Sequence, residues 1–116
     1  MDDLVRWLGE QLEEDERIAK AATPGPWHAR DDGVVSDDGV HWPVAYTDAR
    51  FGSADVVHIA EHDPTRLFNE ITFKCKLHAW ALNSLRREAP DQVEKVIRLI
   101  AETYRHRPGY REEWRA

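Results

Sequence analysis

Pro24-Gly25-Pro26 constrains this chain more than any other short segment. A proline fixes its own φ, has no backbone N–H to donate and biases the residue before it away from the α region. A helix therefore cannot run through two of them. Pro-Gly also supplies the central pair of a tight turn. The sequence follows different rules on its two sides. Before the turn, Leu4, Leu8, Leu12, Ala19 and Ala22, with Val5 beside them, recur at helical spacing and predict an amphipathic helix over 2–22. Asp2 and Asp3 suit the positive end of its dipole, and Glu13–Arg17 and Glu16–Lys20 are i,i+4 pairs in the favourable order. The cluster Glu13-Glu14-Asp15-Glu16 reads as a solvated face.

After the turn, from Trp27 to about Thr47, short apolar runs alternate with turn signals. Asp31-Asp32-Gly33 and Asp37-Asp38-Gly39 each contain Asp-Gly, a strong hairpin dipeptide. Strands are expected near 27–30, 33–36 and 40–47, forming a small antiparallel meander at about 27–47 with Trp27 and Trp42 in its core. Pro43 makes the last strand an edge, or breaks it. Beyond a loop over Asp48–Gly52, Ser53 is a suitable cap for a short helix, 54–62, although β-branching at Val56, Val57 and Ile59 favours a strand there. Asp63-Pro64 then starts a long amphipathic helix, 64–87, with Asp as cap and Pro in the first turn. Leu67, Phe68, Ile71, Cys75, His78, Leu82 and Leu85 share a broad face, while Phe73, Leu77 and Trp80 form a second strip well around the wheel. A helix apolar on two sides is expected to be covered on two sides. A last helix, 91–107, follows Ala89-Pro90, with a stripe of Val93, Val96, Ile97, Ile100, Ala101 and Tyr104, and Pro108-Gly109 stops it. Tyr110 and Trp114 in the tail suggest that it docks. The whole reads as one α+β domain over 1–116, with its last two helices packed together.

Composition narrows the function classes. No apolar run approaches the roughly 20 residues needed to cross a bilayer. The start, Met1-Asp2-Asp3, lacks the basic and apolar regions of a signal peptide, so a cytoplasmic protein is expected. Cys75 is the only cysteine, which excludes an internal disulfide and thiol–metal clusters; a buried, inert thiol is expected on its helix face. Net charge is −6, distributed as −4 over 1–22, −6 over 23–63 and +4 over 64–116. The bases alternate with apolar residues at helical spacing instead of forming a block. That favours halves attracting one another in the fold over a basic arm for nucleic acid.

Three segments carry a family resemblance: Ala21-Ala22-Thr23-Pro24-Gly25-Pro26-Trp27, His58-Ile59-Ala60-Glu61-His62-Asp63-Pro64-Thr65-Arg66-Leu67, and His106-Arg107-Pro108-Gly109-Tyr110-Arg111-Glu112-Glu113-Trp114. In order and spacing the chain resembles short actinobacterial and actinophage proteins grouped as a domain of unknown function. Its first two segments are also similar to Ead-type early proteins of lambdoid phages. The resemblance implies a phage or mobile-element setting and no particular reaction. It also implies a charged stretch after Asp63-Pro64, where this chain has Phe73, Leu77 and Trp80.

No Gly-x-Ser-x-Gly elbow surrounds Ser36, Ser53 or Ser84, and no glycine loop suited to phosphate occurs. His58 and His62, four apart, would share a helix face and could hold Zn or another divalent metal, with Asp55 or Asp63 adding an oxygen. No other cofactor is expected. His78, on the apolar face of the long helix, reads as a hydrogen-bonded core histidine. Nucleic-acid binding would rest on Lys74, Lys76, Arg86, Arg87, Arg98, Arg105, Arg107 and Arg111, against the net negative charge. The leading expectation is a non-enzymatic accessory protein that meets a host, defence or viral protein, or itself, through Phe73, Leu77 and Trp80 of the 64–87 helix. The alternatives are a metal-assisted hydrolase using His58 and His62, and an acidic DNA mimic or nucleic-acid-associated protein.

Overall fold

The computed structural model describes residues 1–36, 43–48, 54–85, 87 and 90–116. Among them the order is α1 (Asp2–Ala21), β1 (Trp27–Arg30), β2 (Gly33–Ser36), β3 (Pro43–Tyr46), α2 (Ala54–Glu61), α3 (Pro64–Ser84), α4 (Pro90–Glu102) and a closing 3-10 turn, Glu112–Trp114. This is the α+β class expected from the sequence. The turn at Asp37-Asp38-Gly39, the first residues of the third strand with Trp42, most of the loop before α2, the Ser53 cap, Arg86 and Ala89 lie outside the described residues. The chain divides into two compact units, one of Met1–Asp15 with Ile71–Ala116 and one of Glu16–Glu70, so the division falls within α1 and α3.

In the unit of Glu16–Glu70, three antiparallel strands pair in the order β1-β2-β3. The first hairpin closes on Asp31-Asp32, because Arg30 is opposite Gly33. Gly33 of the Asp-Gly dipeptide thus begins β2, and Asp31 takes the left-handed backbone, at φ 54°. A short polar side chain tolerates that region better than a branched one would. Between β2 and β3 the register slips by one residue, from Val34↔Ala45 to Val35↔Pro43. Pro43, with no N–H to give, sits where an edge strand bulges. Residues 54–61 form a helix, and the reason lies in what it covers: Val56 and Ala60, one turn apart, are buried with Val34 of the central strand. Trp27, Val44, Ala45 and Ile59 pack around that small core.

The other unit is helical. Leu4, Trp7, Leu8 and Leu12 of α1 share a core with Ala81 of α3, with Val93, Ile97, Ile100 and Ala101 of α4, and with Tyr104 and Trp114. The α4 stripe is thus the one expected, and α3 and α4 pack together in this core. Both helices end early. α3 stops at Ser84 instead of 87, and α4 at Glu102 instead of 107. Past Glu102 the amides of Thr103 and Tyr104 bond the carbonyls of Ile100 and Ala101, three residues back, and the Thr103 hydroxyl donates to Ile100 as well. Those tightened turns redirect the chain.

Three expectations need correction. Cys75 is exposed. Leu82 is exposed too, at 39%. The packed face of α3 runs through Ile71, Leu77, His78 and Ala81, with Leu85 just past its end, and Cys75 and Leu82 stand on its shoulder. Apolar residues on this helix span more of the circumference than one packed face covers. Asp15, read as part of a solvated cluster, is 7% exposed. It lies on the apolar stripe, three residues after Leu12 and four before Ala19.

Candidate functional site

Asp63 connects two of the three landmark segments. Its Oδ1 accepts the Arg66 amide at 2.9 Å, which is the capping bond expected at the start of α3. Its Oδ2 accepts the Trp27 amide, also at 2.9 Å, from the turn at Thr23–Trp27. The side chain is 7% exposed, so both amides are satisfied away from bulk water. Gly25 lies against this bond: a Cβ there would overlap Thr65 Oγ1 and come within 3.0 Å of Asp63 Oδ2. The turn is held from its other side by the Ser36 hydroxyl, which donates to the Pro24 carbonyl at 2.5 Å, and by the Trp27 indole, which donates to Thr23 at 2.9 Å. Ser36 therefore has a turn-holding bond instead of a nucleophile's setting.

Beside Asp63 an open groove of about 430 Å³ is lined by Trp27, His28, Glu61, Thr65, Arg66 and Asn69. A crevice of about 40 Å³ lies between His62, Asp63, Arg66, Leu67 and Glu70. The Arg66 guanidinium is turned to the Glu70 carboxylate and the Glu61 carbonyl, each at 3.3 Å. His58 and His62 are exposed on α2 and just past its end. Their ring centroids are 4.3 Å apart, and His62 Nδ1 donates to the His58 carbonyl at 2.7 Å. No set of three His, Cys, Asp or Glu suited to a metal occurs among the described residues.

The third landmark segment belongs to the helical unit. Tyr110 and Trp114 pack on Trp7, with centroids 5.8 and 5.4 Å from it, and meet edge to face at 6.0 Å. The Trp7 indole donates to the Pro108 carbonyl at 3.1 Å. Gly109 passes beneath that ring with φ 89°, and a Cβ there would stand 2.7 Å from the indole nitrogen. Arg98 donates to the Glu113 carbonyl at 2.6 Å and completes the anchoring of the tail.

Next to it is a buried polar cluster that the sequence reading did not assemble. The Tyr104 hydroxyl donates to Asp15 Oδ2 at 2.6 Å, and Arg107 pairs with Asp15 Oδ1. Arg107 also donates to the Gln11 carbonyl at 3.1 Å, and Lys74 donates to the Tyr104 oxygen at 3.2 Å. Burial first, then the hydrogen bond to Asp15 and its negative charge, push ionisation of Tyr104 well above the usual phenol range. The attraction of N-terminal acids for C-terminal bases is thus present within this unit, at Asp15–Arg107 and Asp3–Arg111. The available signal was positional: an acid on an apolar stripe needs a partner.

On α3, Phe73 is 63% and Trp80 50% exposed. Leu77, grouped with them in the sequence, is half-buried against the helical core. His78 is half-buried, and its Nε2 donates to the Val5 carbonyl at 3.1 Å, as a core histidine should. No helix of the described residues is long and apolar enough to cross a membrane.

An α+β chain built from these two units belongs to the family of unknown function DUF6221, whose model matches residues 1–116. No curated protein and no solved structure matches it.

Proposed function

We propose that this protein works by binding another protein and not by catalysis, with Phe73 and Trp80 of α3 as the contact and Leu77 as the support beneath them. One observation carries this reading. Two large aromatics stand more than half or half exposed on a helix whose Leu77 and Ala81 pack in the helical core. Aromatic side chains dominate interface energetics because they bury a large area at little entropic cost. The reading is supported by how the polar groups are used. Asp15, Tyr104, Arg107, Asp63 and Ser36 each hold one part of the chain to another. Of the cations that a nucleic-acid reading would need, Lys74, Arg98, Arg107 and Arg111 are engaged within the protein. A cytoplasmic accessory role in a phage or mobile element goes with this reading and rests on the resemblance in the three landmark segments.

The test is a Phe73/Trp80→Ala double variant, compared with the parent by sedimentation, by chemical cross-linking in native-host extract and by denaturant unfolding. Surface substitutions of this kind should change stability by no more than about 0.5 kcal/mol each. The cross-linked partner should be lost. A variant that keeps every cross-link and loses several kcal/mol would make the two aromatics core residues. Loss of a concentration-dependent dimer would identify the partner as a second copy.

A further inference from the structure

We propose that His58 and His62 form a two-imidazole chelate for a divalent ion that favours right-angled nitrogen ligands, Cu2+ or Ni2+. The residues are four apart in sequence, both exposed, with ring centroids 4.3 Å apart and planes tilted by 37°. With metal–nitrogen bonds of about 2.0 Å, each ring centroid would stand about 3.2 Å from the ion, so a right-angled pair of imidazoles has centroids about 4.5 Å apart and a tetrahedral pair about 5.2 Å. The separation of 4.3 Å lies nearer the right-angled value than the tetrahedral one, and square-planar or tetragonal nitrogen sites select Cu2+ and Ni2+ over Zn2+.

A second feature prepares the site. His62 Nδ1 donates to the His58 carbonyl at 2.7 Å, so in the neutral ring Nε2 is the nitrogen with the free lone pair. Such a bond to a backbone carbonyl is the usual device for orienting a metal-bound histidine. The two imidazoles supply two positions of the ligand sphere, and no group of three such side chains occurs among the described residues. The site is one for binding, at the C-terminal end of α2 immediately before Asp63.

Calorimetric titration of the full chain with NiCl2, and in parallel with ZnCl2, tests the proposal, with helix content of every variant checked by circular dichroism. The tightest Ni2+ step should weaken about ten-fold or more in both His58→Ala and His62→Ala, because each removes the intramolecular second ligand. His106→Ala should leave that step unchanged. A step insensitive to either substitution, or to one of them only, would overturn the chelate. Tighter binding of Zn2+ than of Ni2+ would overturn the assigned geometry.

Discussion

Among the described residues each unit of this protein contains one buried aspartate, and the two are satisfied in opposite ways. Asp15 meets a cation and a phenol, Arg107 and Tyr104. Asp63 meets two backbone amides, those of Trp27 and Arg66. An ion pair with few waters around it gains strongly from attraction and is costly to break from one side. A carboxylate held by amides at a helix start gains from hydrogen bonds and the dipole, and its loss costs about as much as a cap plus an orphaned amide. The helical unit therefore depends on long-range side-chain partners, while the sheet-bearing unit depends on a side chain that organises backbone.

The largest expected effect lies beside the Asp15 cluster. Trp7→Ala removes the ring on which Tyr110 and Trp114 pack and should cost about 4 kcal/mol, in the range for large-to-small changes at buried aromatics. Denaturant unfolding measures it; a loss below 1 kcal/mol would mean that the tail is not anchored there. Arg107→Met should come next, at about 3 kcal/mol, because it leaves Asp15 buried without its cation. If the pairing is the cause, Asp15→Asn combined with Arg107→Met should cost clearly less than the two single losses summed. Additive losses would instead assign the effect of Arg107 to packing.

Asp63→Ala should cost about 2 kcal/mol, from the lost cap of α3 and the unpaired Trp27 amide. It should speed hydrogen exchange at Trp27 and Arg66 before it affects amides of the helical core. A loss as large as that of Arg107→Met would erase the distinction between the two aspartates. The smallest effect at neutral pH belongs to Tyr104→Phe, about 1 kcal/mol for one hydrogen bond. Its sharper signature is alkaline. Folding raises the pKa of Tyr104, so its contribution is fully present below the unfolded phenol pKa of about 10 and declines as pH rises above it. The parent should lose stability through that range, and Tyr104→Phe should remove this group's part of the decline. Equal alkaline slopes would contradict the burial of Tyr104.

The two units also differ in how far they could be read from sequence. The sheet-bearing unit was largely legible, because its signals are local: Pro24-Gly25-Pro26, Asp63-Pro64 and Pro43 each restrict their own backbone. The first two strands stand at 27–30 and 33–36 as the turn signals place them, with Asp31 in the left-handed position between them. In the helical unit the α4 stripe was legible from its spacing, but the partners of Asp15 were not. They stand about ninety residues away along the chain, and α4 ends early to bring Tyr104 and Arg107 to it. Exposure on α3 was legible only in part. Phe73 and Trp80 fell on a separate strip, while Leu77, on the same strip, packs against the core. For the candidate sites, spacing gave the His58–His62 pair, whereas the link between Trp27 and Asp63 required the fold.

That link is central, because it joins two of the three landmark segments of this sequence through one side chain. It is tested most directly by NMR scalar couplings across hydrogen bonds, from the amide nitrogens of Trp27 and Arg66 to the Asp63 carboxyl carbon. Both amides should show the coupling, and both couplings should vanish in Asp63→Ala. If Arg66 couples to Asp63 while Trp27 does not, Asp63 caps α3 and nothing more, and the turn at Thr23–Trp27 is held by other means.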